Sequence, residues 1–195
     1  RLMELFAACL EALNEPDPAQ KCALAESLYR AWLAGEVEID EALPPQPIAE
    51  PGRPDKPILV PPLKVPRRKT TTTTGRAALL HAIAHIEFNA INLALDAAYR
   101  FRGMPKDFYG DWLQVAAEEA LHFSLVRDYL HSLGYAYGDF PAHNGLWQMA
   151  VKTAHDPLVR MALVPRVLEA RGLDAQPAIA GKFKSVQDER AVEIL

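Results

Sequence analysis

Residues 76–133 read RAALLHAIAHIEFNAINLALDAAYRFRGMPKDFYGDWLQVAAEEALHFSLVRDYLHSL. Apolar residues recur there at helical steps of three and four, and no part sustains the alternation of a strand. Gly103-Met104-Pro105 interrupts the pattern, because glycine favours helix ends and proline favours helix starts. The stretch predicts one helix over about 76–102 and a second running to about Leu133. A connection this short folds the two into an antiparallel hairpin.

Their buried faces are marked by polar exceptions. The first helix carries a heptad stripe of Leu80, Ile83, Glu87, Ala90, Ala94, Ala97 and Phe101, apolar except for Glu87. The second carries Trp112, Val115, Glu119, His122, Val126, Tyr129 and Leu133, interrupted by Glu119 and His122 in the spacing Glu-x-x-His. Glu87 lies sixteen residues before Gly103 and Glu119 sixteen after it, so the hairpin brings the two carboxylates level. Two ionised carboxylates at one level in a core repel each other and lose their hydration. A bound cation resolves both costs. Glu-x-x-His sets a carboxylate and an imidazole on adjacent turns of one face, a mixed donor set that suits iron or manganese, with zinc as an alternative. A third helix near Pro157 to Arg171 offers Glu169, but Pro165 kinks it and leaves the direction of Glu169 open. A polar network without metal is the competing reading of the same residues.

Outward from the hairpin, the chain divides into three parts, 1–42, 43–74 and 75–195. Nine of the sixteen prolines fall between Pro44 and Pro66, and that segment is expected to be extended and polyproline-like, either wrapping over the domain or, as the simpler reading, acting as a semi-rigid connector. Before it, Leu2 to Leu13 and a helix from Pro18 to about Ala34, capped by Asp17, form a hairpin that docks on the rest. After the long hairpin come a loop over 134–141 and shorter helices near Asn144 to His155 and Pro157 to Arg171. A last helical region, broken before Gln187, runs to Leu195. The chain begins at Arg1 and stops within a helical pattern, which reads as a piece of a longer protein.

The 195 residues carry a net charge of −4, which gives no general basic field for nucleic acid, and two cysteines make no disulfide framework. Cys9 and Cys22 are expected as buried free thiols in a reducing, cytoplasmic interior. The apolar run from Ala77 to Ala98 includes His81, His85, Glu87, Asn89, Asn92 and Asp96, too polar a load for a membrane span. His81 and His85 lie off the Glu87 stripe and are expected to pack helices or to support the ligands from behind. Tyr129 and Trp112, each a heptad from the metal level, are expected as core aromatics, with a supporting role at the metal open to Tyr129. His131, His143 and His155 fall near helix ends or loops.

Three phrases carry a family resemblance: Leu80-His81-Ala82-Ile83-Ala84-His85-Ile86-Glu87, Glu118-Glu119-Ala120-Leu121-His122-Phe123, and Leu168-Glu169-Ala170-Arg171-Gly172-Leu173-Asp174. With Asp188-Glu189-Arg190-Ala191-Val192, they resemble an uncharacterised bacterial ferritin-like family, the domain of unknown function 455. The resemblance covers most of 67–195. It implies an all-α, ferritin-like four-helix bundle whose fourth helix is cut at the chain end. It further implies a di-iron centre held by Glu87, Glu119, His122 and Glu169, with a second Glu-x-x-His expected past Leu195. An oxygen-activating oxidoreductase or hydroxylase follows, acting on a small-molecule or RNA-like substrate. The short basic run Arg67-Arg68-Lys69 gives the RNA option slight support. A homodimer is left open, as are a metal-handling protein without organic substrate and a metal-free helical interaction module.

Overall fold

The structure is a computed structural model that describes residues 1–170, with side chains to Val164. Among the described residues six α-helices carry the architecture: α1 (Leu5–Asn14), α2 (Pro18–Leu33), α3 (Thr73–Arg100), α4 (Lys106–Ser132), α5 (Gly145–Lys152) and α6 (Pro157–Ala170). The two strands, β1 (Met3–Glu4) and β2 (Val37–Glu38), are two residues each and pair in parallel. The class is all-α. The helical region expected near the chain end lies outside the described residues.

Local chemistry sets the helix ends. Asp17 accepts a hydrogen bond from Gln20 N at 2.9 Å and Pro18 opens α2. The Thr72 hydroxyl accepts from Gly75 N at 2.9 Å, so α3 begins three residues earlier than the apolar pattern alone suggests. Gly103 turns the chain at a φ of 68°, a conformation that favours glycine. The Tyr109 hydroxyl closes the turn, donating to Phe101 O at 2.7 Å and accepting from Met104 N at 3.2 Å. The antiparallel α3–α4 hairpin follows.

Packing departs from a simple two-face picture in α3. Every residue from Glu87 to Tyr99 is buried, because α1, α2, α4 and α5 all pack on this helix. The stripe predicted for α3 is therefore one of several buried faces, and its first members, Leu80 and Ile83, are only partly covered. By length and composition α3 could cross a membrane, yet 67% of its most apolar window is buried within the protein. Leu5, Phe6, Leu13, Cys22 and Leu28 of the N-terminal hairpin belong to the same buried cluster as α3 and α4.

The Pro-rich segment is a strap docked over the helical body, the alternative to the simpler reading of a semi-rigid connector. Its prolines remove N–H donors, but the donors and carbonyls that remain find partners on the helical body. Gly52 N donates to Leu13 O at 2.7 Å, Gln46 N to the Tyr99 hydroxyl at 2.7 Å, and Trp147 Nε1 to Ala49 O at 2.9 Å. Ile58 and Val60 exchange backbone bonds with Ala142 at 3.1 and 2.8 Å. At Gly52 the strap passes so close to α1 that a Cβ would sit 2.2 Å from Asn14 O.

Candidate metal centre

Glu87 on α3 meets Glu119 and His122 on α4, and one donor atom from each lies within 4.8 Å of the others. The register of the hairpin produces this meeting, since equal spacing from the Gly103 turn sets the carboxylates level. Both carboxylates are 1% exposed, while the His122 side chain is 32% exposed and holds the solvent side. His122 Nδ1 stands 3.8 Å from Glu119 Oε1, too far for a hydrogen bond. Glu87 Oε2, Glu119 Oε2 and His122 Nδ1 are all buried without a hydrogen-bond partner. Three orphaned atoms on one cluster of side chains are costly, and each is of a type that binds transition metals. The neighbouring Glu118 differs: it is only half-buried and accepts from Gln114 Nε2 at 3.0 Å.

Burial raises Glu87 from the usual 4.5 to about 8. Glu119 rises to about 9, through burial first and then the negative charges of Glu87 and Glu118. Without a cation the pair therefore holds protons at neutral pH. A metal would displace them, so its binding would release protons and strengthen as pH rises.

The other residues singled out in the sequence fall elsewhere. His81 Nε2 accepts from Gly138 N at 2.9 Å, and its ring stacks on Tyr137 at 5.3 Å. His85 Nδ1 meets the Tyr137 hydroxyl at 2.8 Å and its Nε2 meets His143 O at 2.9 Å. Burial lowers both histidines to about 4, so they are neutral ties holding the 135–143 segment against α3. Neither bonds to the carboxylate cluster. Tyr129 is 57% exposed, which corrects its expected place in the core. A strict heptad drifts about 20° per repeat on a straight helix, and by its last turns α4 buries Phe123 and Leu130 instead. Trp112 is fully buried, as are the free thiols of Cys9 and Cys22, which burial pushes upward. The side chain of Glu169 lies outside the described residues.

A second polar line was missed by stripe reading. Lys21 Nζ donates to Leu13 O at 2.9 Å and to Asn92 Oδ1, and Asn92 Nδ2 donates to Asn89 Oδ1 at 3.3 Å. Farther along, Asp96 holds Arg100 and Arg160. The signal was available in the spacing His85, Asn89, Asn92, Asp96, which steps by four, three and four.

Fold and site together define a helical protein with a carboxylate–imidazole cluster buried at the seam of an antiparallel helix pair. The chain belongs to the family described as Protein of unknown function (DUF455), whose pattern matches residues 14–195. It is 52% identical over 196 residues to a Haemophilus influenzae protein described as uncharacterized, a match covering 94% of this chain and 67% of that one. No solved structure matches it. The family resemblance read from the three sequence phrases is borne out at this level.

Proposed function

We propose that this protein is a ferritin-like dinuclear metal protein, di-iron in its working form, and an oxygen-activating oxidoreductase. The observation that carries the reading is the cluster of orphaned donors, Glu87 Oε2, Glu119 Oε2 and His122 Nδ1, on residues whose donor atoms fall within 4.8 Å. Two carboxylates and an imidazole fit iron or manganese, with zinc as the alternative. Glu87 from α3 and Glu119 from α4 would hold the metal across the seam, with His122 on the solvent side. Burial of the carboxylates excludes water, and both would give up their protons on taking a cation. When bound, a di-iron pair supplies two-electron oxygen chemistry. By the family resemblance, Glu169 would join these three as a further ligand. The substrate is a small molecule or an RNA-like molecule, the latter meeting the exposed Arg67, Arg68 and Lys69.

A second reading, metal binding without an organic substrate, is favoured by the size of the cluster, since three donors suffice to hold one ion. Anaerobic ferrous titration of the full-length protein, followed by oxygen exposure, separates the two. Two irons per chain with a near-ultraviolet band that appears on oxidation support the di-iron reading. One redox-silent metal per chain supports the second. No uptake by wild type, with Glu119→Ala leaving stability unchanged, sinks both.

A further inference from the structure

The charge of this chain is unevenly placed. Overall it is −4, yet residues 56–86 hold Lys56, Lys64, Arg67, Arg68, Lys69 and Arg76 and no acidic residue. All six are exposed, and none forms an ion pair among the described residues. Arg76 bonds only the turn before α3, to Thr71 O and the Thr73 hydroxyl, each at 3.3 Å. The flanking acids are Asp55 on the strap and Asp139, whose loop meets Lys56 at Gly138. Set against the six bases, they leave an excess of four. The positive N-terminus of α3 and the negative C-terminus of α4 both lie at this end of the hairpin and cancel.

An apolar side chain projects from the middle of the basic stretch. Pro62–Lys64 form a single 3-10 turn, closed by Lys64 N donating to Pro61 O at 2.8 Å. Leu63 at its tip is 98% exposed, and Ile58 before it is 61% exposed. Both ends of the turn are tied down. Val60 N donates to Ala142 O at 2.8 Å, and the Thr72 hydroxyl donates to Lys69 O at 3.3 Å. Pro61 and Pro62 restrict the backbone further, so Leu63 is held outward beside Lys64 and the 67–69 bases. Single-stranded RNA would need aromatic faces on which to stack bases. The aromatic rings packed here are already engaged: Arg68 lies over Phe140 at 5.5 Å, and Tyr135 packs on Phe140 at 5.4 Å.

We propose that this basic turn docks the protein on an anionic lipid surface, with Leu63 entering the interface and Lys64, Arg67, Arg68 and Lys69 meeting the headgroups. Acidic lipids attract clustered Lys and Arg, and a protruding leucine gains by leaving water for the acyl boundary. Arg76 lies eleven residues before Glu87, about 16 Å along α3 at 1.5 Å per residue, so the carboxylate cluster stays clear of the contact.

Co-sedimentation of the full-length protein with vesicles of phosphatidylcholine containing roughly one third phosphatidylglycerol tests this. The protein binds them at about 0.1 M salt, lets go at about 1 M, and binds pure phosphatidylcholine at least about tenfold more weakly. Leu63→Ser lowers affinity about tenfold, whereas Leu63→Phe keeps it. Arg67→Gln and Lys69→Gln each lower it about fivefold. All three positions are exposed, so the melting temperature does not move. No preference for the acidic vesicles, or wild-type binding by Leu63→Ser, overturns the proposal. So does a single-stranded RNA oligomer that binds more tightly than the vesicles and is indifferent to Leu63→Ser. Metal-stripped and metal-loaded protein bind vesicles alike, so failure here leaves the metal reading untouched, and failure of that reading leaves this one.

Discussion

Replacing Glu119 with glutamine keeps the shape of the side chain and removes its ability to ionise. In the folded protein Glu119 titrates at about 9, against 4.5 for an ordinary glutamate, and Glu87 at about 8. A group whose folded value is raised contributes its full stability below the unfolded value and loses it as pH climbs toward the folded one. The metal-free protein is therefore expected to weaken steadily from about pH 4.5 to about pH 8, where Glu87 and Glu119 together contribute up to about 2.7 kcal/mol per pH unit. Glu119→Gln cancels one of the two contributions and halves that slope. At pH 7 holding Glu119 protonated costs about 3 kcal/mol on the same scale. The glutamine escapes this cost but brings an extra buried N–H donor, worth about 1–3 kcal/mol if unpaired. The change in slope is thus the firmer quantity, because a fixed donor penalty does not vary with pH.

Urea denaturation of metal-stripped wild type and variant, at several pH values between about 5.5 and 8.5, measures that slope directly. Adding ferrous or manganese ion under anaerobic conditions then separates the two proteins a second way. At a hundredfold excess over Kd wild type gains about 2.7 kcal/mol, a melting shift on the order of 5–10 °C, and the variant gains little. Parallel pH profiles for wild type and variant would refute the assignment of a raised carboxylate at this position. Undiminished metal stabilisation of Glu119→Gln would refute its role as a ligand.

His122→Ala and Glu87→Ala each lower metal affinity by at least about tenfold, whereas His81→Ala leaves it unchanged, because His81 bonds Gly138 N and not the cluster; equilibrium metal titration measures all three. Asp96→Asn strands two buried guanidinium groups and costs about 3–5 kcal/mol of stability, read from urea midpoints. Gly52→Ala forces a Cβ to within 2.2 Å of Asn14 O, which lifts the strap and raises proteolytic cutting within 44–66 while the helical circular dichroism persists. Tyr137→Phe removes the hydroxyl that meets His85 Nδ1 at 2.8 Å and lowers stability by about 1 kcal/mol.

Much of the centre was legible in the sequence because its determinants are local and periodic. The three-and-four spacing fixes which side chains share a face, and the turn at Gly103 fixes which residues of two neighbouring helices come level. Glu87, Glu119 and His122 follow from those two rules alone. Tyr129 did not follow, because a heptad count ignores the slow rotation of a straight helix. Lys21 and Arg160 could not be found by stripe reading, since each joins α3 from a distant segment and reads as an ordinary surface charge on its own helix.

By itself, then, the sequence determined the main helices, the cap at Asp17, the antiparallel hairpin and the level at which two carboxylates and an imidazole meet. Only the tertiary structure decided that the Pro-rich segment lies bound across the helices and that α3 is enclosed from Glu87 to Tyr99. It also decided that Asp96 gathers two arginines beneath an apolar cleft. The physical reason is one of range. Helical periodicity and turn chemistry act over a few residues and are written in order along the chain. The partners of Gly52, Asp96 and Trp147 are chosen by close packing and by the need to satisfy buried polar groups, and those choices exist only once distant segments share a core.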